Sequence, residues 1–115
     1  MHMAHVIQAL GALAQEHRLG AYRLLVQAGI DGLSAGALAE AMDVPSSSMS
    51  FHLAQLTHAV LVFQRRAGRS IIYTANYSTM NAIIGYLSEN CCGGQDCASD
   101  ALPLAKKSAL KKHAC

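Results

Sequence analysis

The sequence predicts a mostly α-helical domain with one small β-hairpin. Apolar residues recur at helical spacing in four stretches before residue 60, and helical spacing returns after residue 78. Between them lie two segments rich in β-branched and aromatic residues, 61–66 and 70–75, separated by Ala67-Gly68-Arg69. The chain has 115 residues, which is the length of one domain, so these elements are expected to share a single core.

The first two helices are predicted over residues 4–15 and about 17–29. The apolar face of the first helix comprises Val6, Leu10, Leu13 and Ala14. Gly29 is a typical C-terminal stop for the second helix, and a turn is expected at residues 31–33.

A pair of helices joined by a sharp turn follows. Ser34 is a favoured N-cap for a short, alanine-rich helix that runs to about Met42. The residue before Pro45 avoids helical geometry, so the chain turns there before a second helix that ends near Ala59. The apolar stripe of this second helix is expected to face the core and comprises Met49, Leu53, Leu56 and Val60.

The last helix is expected to be capped by Ser78 or Thr79 and to end near Cys91. Its apolar face comprises Met80, Ile83, Ile84 and Leu87. The remaining chain is small, polar and rich in lysine, as is typical of a mobile tail. The predicted organisation is therefore one domain over residues 1–90 and a cysteine-bearing tail over residues 91–115.

Composition excludes several classes of protein. Hydrophobic residues make up 52% of the chain, too many for a disordered protein, yet no apolar run reaches the roughly 18 residues of a membrane helix. The N-terminus lacks the pattern of a secretion signal, so a cytoplasmic protein with no membrane partner is expected. All four cysteines lie in the last 25 positions, where they cannot form a disulfide framework for the core.

Helix, turn, helix and hairpin, in that order, make a winged helix-turn-helix, whose second helix enters the major groove of double-stranded DNA. Short polar side chains lie near the N-terminal end of that helix, namely Ser46, Ser47, Ser48, Ser50 and His52. The hairpin carries three arginines, Arg65, Arg66 and Arg69. We therefore expect these two groups to bind DNA. The alternatives are a solvated helix start beside a solvated strand end, and a domain that binds another protein.

Two motifs resemble those of the arsenic-resistance repressor (ArsR) family of metal-sensing regulators. They are Ser-x-x-Ser-x-His-Leu-x-x-Leu at residues 47–56 and Arg-x-Gly-Arg-x-x-x-Tyr at residues 66–73, and the resemblance covers about residues 5–90. It departs after the second helix of the pair, where the family usually has an Ala-Gly-Leu-Val type turn and this chain has His58-Ala59-Val60-Leu61-Val62, and at Phe51, where the family often has Arg or Lys. The resemblance implies a transcriptional repressor that is a homodimer through its first and last helices. The apolar stripes on those helices suit such an interface, although each could equally be internal core.

The pattern in the sequence that is most specific for a chemistry is a cluster of three cysteines, Cys91, Cys92 and Cys97. Soft thiolates select thiophilic ions, and three of them with no fourth ligand suit trivalent arsenic or antimony. Zinc would have to borrow Cys115 or water as a fourth ligand. We expect arsenic to release the repressor from its operator. The alternatives are a thiophilic metal, a methylated arsenical held by two cysteines, thiol redox sensing, and tail thiols without a ligand.

An enzyme with a cysteine nucleophile is not expected. The chain contains no Cys-x-x-Cys pair, and no arginine follows a cysteine at the six-residue spacing that small reductases use.

Overall fold

The computed structural model describes residues 1–94. Its helices are α1 (Met3–Leu13), α2 (Glu16–Ala28), α3 (Ala35–Met42), α4 (Ser46–His58) and α5 (Tyr77–Leu87), with a 3-10 turn at Gly29–Asp31. Its strands are β1 (Leu33–Ser34), β2 (Val62–Ala67) and β3 (Ser70–Ala75). The mostly helical fold with a β-hairpin is confirmed, and the first four helices begin and end within two residues of the predicted positions.

The sheet differs from the prediction, because it has three antiparallel strands in the order β1-β3-β2. The segment predicted as a turn contains β1, in which Leu33 pairs with Tyr73 and Ser34 pairs with Ile72. A strand of two residues is too short to show a period of two, so its sequence carried no strand signal. Its pairing connects the start of α3 to the middle of β3.

Contacts divide the chain into a first unit, Met1–Met80, and a second unit that begins at Asn81. The division falls within α5, ten residues before the domain boundary predicted from the sequence, and that boundary stays a prediction. The core of the first unit is built largely by leucines, and its fully buried large side chains are Leu25, Leu38, Met49, Leu53, Leu56 and Leu61.

The predicted stripe of α4 is confirmed for its first three members, but the prediction for Val60 was wrong. Val60 lies beyond the helix, is 54% exposed and has a left-handed φ of 61°. There it completes a Schellman motif, with Val60 N–H donating to Thr57 O and Leu61 N–H donating to Leu56 O, both at 3.0 Å. This position favours glycine, because a β-branched residue at positive φ is strained.

We therefore expect Val60→Gly to stabilise the protein by about 1 kcal/mol. The substitution relieves backbone strain and removes little buried apolar surface. Urea denaturation of wild type, Val60→Gly and Val60→Ala measures the effect. Alanine keeps a Cβ at the left-handed position, so Val60→Ala should stabilise the protein less than Val60→Gly does. A Val60→Gly protein that is less stable than wild type would contradict the explanation.

The terminal helices also differ from the expected pattern. Val6 and Ala9 of α1 are buried, whereas Leu10 of the predicted stripe is exposed. The exposed apolar side chains of α1 are Met3, Ile7 and Leu10, one turn apart along the helix. On α5 the predicted stripe divides in the same way, since Ile83 is buried while Ile84 and Leu87 are exposed.

The cap of α5 is Asn76, and not Ser78 or Thr79 as predicted. Its side-chain oxygen accepts a hydrogen bond from Thr79 N–H at 3.3 Å, and its amide nitrogen donates to Val60 O at 3.1 Å. Asn76 is also the one buried polar residue among those that the structure describes. Its side chain thus connects the end of the α4 turn to the start of α5, which local sequence pattern does not reveal.

Candidate nucleic-acid interface

The turn between α3 and α4 positions the N-terminal end of α4. Ser34 caps α3 by accepting a hydrogen bond from Ala37 N–H at 3.1 Å. At the other end Asp43 takes a left-handed φ of 57°, and Val44 N–H donates to Ala39 O at 2.9 Å. Val44 is buried, which anchors the turn in the core. The chain leaves this anchor and begins α4 in a direction that the turn determines.

The first turn of α4 presents serine hydroxyls and backbone N–H groups. Its first helical hydrogen bond runs from Met49 N–H to Pro45 O at 2.9 Å, so the N–H groups before Met49 have no carbonyl within the helix. Such groups bind anions readily, phosphate included. Of the predicted DNA-binding serines, Ser46, Ser47 and Ser50 are exposed and Ser48 is half-buried.

The middle of the outward face of α4 is formed by Phe51 and Ala54, which were not predicted to bind DNA. Residues at spacings of four, three and four share one face of a helix, and the most outward set here is Ser47, Phe51, Ala54 and His58, all exposed. This set lies opposite the buried stripe, so counting outward from that stripe would have identified it.

His52 packs against α2 as well as facing the surface. Its ring centroid lies 5.5 Å from that of His17, and its Nδ1 is buried without a hydrogen-bond partner in the described residues. Burial lowers the pKa of His52, and the nearby charges of Arg18 and His17 lower it further. The neutral ring is therefore favoured, and a role for His52 in DNA binding stays a prediction.

The hairpin of β2 and β3 forms the wing, and its register distributes the three arginines. Arg65 pairs with Ile72, and Arg66 pairs with Ile71 on the opposite face of the sheet. The guanidinium of Arg65 donates to Asp31 O at 3.2 Å. Arg69 lies at the tip, and all three arginines are exposed.

A groove of about 410 Å³ separates α4 from the wing. Its lining brings together the start of α3, one serine of α4 and the wing, and comprises Ser34, Ala35, Gly36, Ser50, Arg69, Ser70, Ile71 and Tyr73. Because Arg66 is the cross-strand partner of Ile71, it lies on the face of the wing that borders this groove. Ser50 and Arg69 thus share one concave surface, and Arg66 lies beside it on the same face of the wing.

The cysteine segment begins in the second unit. Cys91 and Cys92 are half-exposed within a helical turn, Cys91–Gly94, in which Cys92 has a left-handed φ of 57°. Partial burial raises the pKa of the Cys92 thiol, and a hydrogen bond with Cys91 and the charge of Cys91 raise it further. Cys97, the third predicted ligand, lies outside the described residues, as does Cys115.

Within residues 1–94 no three His, Cys, Asp or Glu side chains form a group that could hold a metal ion. In the same range no helix is long and apolar enough to cross a membrane.

The helix pair, its turn and the basic hairpin define the class of this domain, a winged helix-turn-helix of the kind found in DNA-binding regulators. Residues 13–64 match the model of a helix-turn-helix domain family. The nodulation protein NolR of Rhizobium meliloti is 33% identical over 100 residues, which cover 87% of this chain and 79% of that protein.

Two solved structures extend the likeness. An ArsR-like transcriptional regulator from Rhodococcus sp. RHA1 has a TM-score of 0.70 at 24% identity, covering 96% of this chain and 93% of that one, a likeness of fold. A homodimeric winged helix-turn-helix DNA-binding domain from Mycobacterium bovis, described as a possible ArsR-family regulator, has a TM-score of 0.62 at 25% identity, covering 76% and 82%.

The chain belongs to the ArsR family of winged helix-turn-helix transcriptional regulators. The expectation from the sequence motifs is thereby confirmed at the level of the family. Members of this family act as DNA-binding regulators and not as enzymes.

Proposed function

We propose that this chain is a transcriptional repressor that binds double-stranded operator DNA through α4 and the wing. The observation that carries the proposal is the groove that Ser50 and Arg69 share, beside the exposed first turn of α4 and with Arg66 on the same face of the wing. In this arrangement α4 enters the major groove, while the arginines of the wing neutralise backbone phosphates. Local charge at the wing supplies the attraction that the net charge of +2 does not.

The repressor acts as a homodimer. The exposed apolar face of α1, formed by Met3, Ile7 and Leu10, and the exposed Ile84 and Leu87 of α5 are surfaces that a second copy would remove from water. The relative from Mycobacterium bovis is described as homodimeric, which supports the same assembly here. The two copies of α4 in the dimer would then lie about 34 Å apart and read a pseudo-palindromic operator.

The inducer in this proposal is trivalent arsenic, with antimony as a chemical equivalent, held by Cys91, Cys92 and Cys97. The fit rests on the donor set, because Cys91 and Cys92 are close enough for their thiols to hydrogen-bond. Three thiols and one As(OH)₃ give three As–S bonds and three molecules of water, with each thiol proton leaving on a hydroxide. No change of oxidation state is needed.

Arsenic is the part of the proposal that rests on this chain alone. The relatives described above are named for nodulation or for their family, and not for a metalloid. Binding to the segment after α5 would tie Cys97 to the left-handed turn at Cys92. A change in the geometry of the dimer then lowers its affinity for the operator, with a coupling of about 5- to 150-fold.

We expect arsenite to release wild-type protein from a fluorescent operator duplex and to leave the Cys91→Ser protein bound. The operator is obtained by selection from random duplexes, and release is followed by fluorescence anisotropy. Cys115→Ser is the matched control, since it also removes one thiol from the tail, and it should respond like wild type. If arsenite releases wild type and Cys91→Ser equally from the duplex, or does not release wild type, arsenic is not the inducer.

Proton release separates arsenic from a thiophilic divalent metal. With arsenous acid the thiol protons leave as part of the water formed, so the buffer takes up none of them. Zinc or cadmium instead releases about one proton to the buffer for each thiol that it binds. Titration calorimetry in two buffers of different ionisation enthalpy measures this difference.

A methylated arsenical needs only two thiols, so the Cys97→Ser protein would keep its response to a methylated arsenical and lose its response to arsenite.

A further inference from the structure

The outward face of α4 is apolar at its centre. Phe51 and Ala54 occupy the middle of the outward set, with Ser47 one turn before them and His58 one turn after. Phe51 is 57% exposed, so most of its ring lies outside the core. This is the part of α4 that would lie deepest in a major groove under the proposed function.

The chemistry of α4 restricts what it can read in a base pair. The helix contains no Arg, Lys, Asp or Glu, and therefore lacks the side chains that most often bind guanine or accept a hydrogen bond from the amino group of cytosine. An apolar side chain in the major groove has one specific target, the 5-methyl group of thymine. Phe51 and Ala54 offer an apolar surface to that group.

The ring of Phe51 contacts the ring of the next residue in the chain. Its centroid lies 5.9 Å from that of His52 in an edge-to-face arrangement, and His52 in turn contacts His17 of α2. Three rings therefore connect the outward face of α4 to the half-buried His17 of α2. A ring that is already oriented loses less freedom when it meets a base, which favours specific contact.

We propose that Phe51 is a specificity-determining residue that reads the thymine 5-methyl group in each operator half-site, with Ala54 completing the apolar contact. The inference rests on the proposed function, because it requires α4 to lie in the major groove. Ser47 and Ser50, both exposed and N-terminal to this contact, hold the start of the helix to the DNA. The operator consequently contains a T·A pair at a fixed position in each half-site.

Selection from random duplexes by wild-type protein tests the first consequence, an invariant thymine in each half-site. Each thymine of the selected operator is then replaced by deoxyuridine, which removes only the methyl group. We expect one position in each half-site at which the replacement weakens binding about fourfold, and about 15-fold when both half-sites are changed.

Two variants attribute the effect to the ring. Phe51→Ser should bind the thymine and uracil duplexes equally, whereas Phe51→Leu, which is still apolar, should keep part of the preference for thymine. Thermal melts check that both variants fold, as the exposure of Phe51 leads us to expect. Arg69→Ala is the control for general affinity, because loss of a phosphate contact weakens both duplexes to the same extent.

The possible failures are distinct. A selected operator that wild type binds equally well with thymine or uracil at every position overturns the inference and leaves DNA binding intact. Undiminished methyl sensitivity in Phe51→Ser overturns the assignment to Phe51. Failure to enrich any sequence overturns the proposed function, and this inference with it.

Discussion

The Gly32→Ala protein should be less stable than wild type by about 3–5 kcal/mol, the largest effect that we expect from any single substitution in the wing or its base. Gly32 has φ 69° and ψ −170°, a conformation that only glycine adopts without strain. A Cβ there would overlap the carbonyl oxygen of Tyr73 and lie 2.7 Å and 2.8 Å from the methyl carbons of Thr74 and Ile72. Either β1 leaves β3 or the hairpin shifts.

Gly29 provides the matched control for this prediction. It lies at the start of the same 3-10 turn with φ 74° and ψ −152°, yet a Cβ there meets no atom within 4 Å. Gly29→Ala therefore carries the backbone strain without the overlap and should cost about 1–3 kcal/mol. Urea denaturation monitored by circular dichroism measures both variants. If Gly29→Ala proves as destabilising as Gly32→Ala, the close approach of β3 is not the cause.

The Arg66→Ala/Arg69→Ala double variant should bind operator about 10³-fold more weakly than wild type at 0.1 M salt. Under the proposed function a dimer loses four phosphate contacts, each of which contributes about fivefold to affinity. The slope of log K against log salt concentration should become shallower by about 4, since each lost contact removes roughly one released counterion. Fluorescence anisotropy over a series of salt concentrations yields both quantities.

Arg23→Ala is the control for the loss of positive charge. Arg23 is exposed on α2 and lines a groove formed with α1 and Met80, away from the wing. Its removal changes the charge of each protomer by one unit and should leave the salt slope nearly unchanged. If the salt slope changes as much for each charge removed as it does in the double variant, then net charge, and not the position of Arg66 and Arg69, determines affinity.

The sequence predicted the helices well because their signals are local. Met49, Leu53 and Leu56 repeat at helical spacing, and the structure buries all three. Ser34 was correctly predicted as the cap of α3, since a serine before an alanine-rich run has a single local role.

The same local reasoning failed where a distant partner decides the outcome. Val60 continues the apolar spacing of α4, yet the helix ends before it in a left-handed turn tied to Asn76. Asn76 caps α5 in place of Ser78 or Thr79 because its side chain also reaches Val60 O, sixteen residues earlier in the chain. Neither choice can be inferred from residues that are neighbours in sequence.

The candidate site was predictable in its residue types but not in its arrangement. The serines of α4 and the three arginines could be identified from the sequence; all but Ser48 are exposed, and their binding to DNA stays a prediction. Only the register of the hairpin separates Arg66, on the groove face, from Arg65, whose guanidinium donates to Asp31 O. The cysteine site stays a prediction, because Cys97 lies outside the described residues.

Local periodicity, capping residues and turn-forming residues determined by themselves the mostly helical fold and the order of its helices and hairpin, whereas the resemblance to the family was carried by the motifs at residues 47–56 and 66–73. These signals act between residues close in the chain, where the backbone allows few conformations. Tertiary structure alone decided the third strand, the role of Asn76 and the exposure of the apolar faces of α1 and α5, because each depends on packing between distant segments.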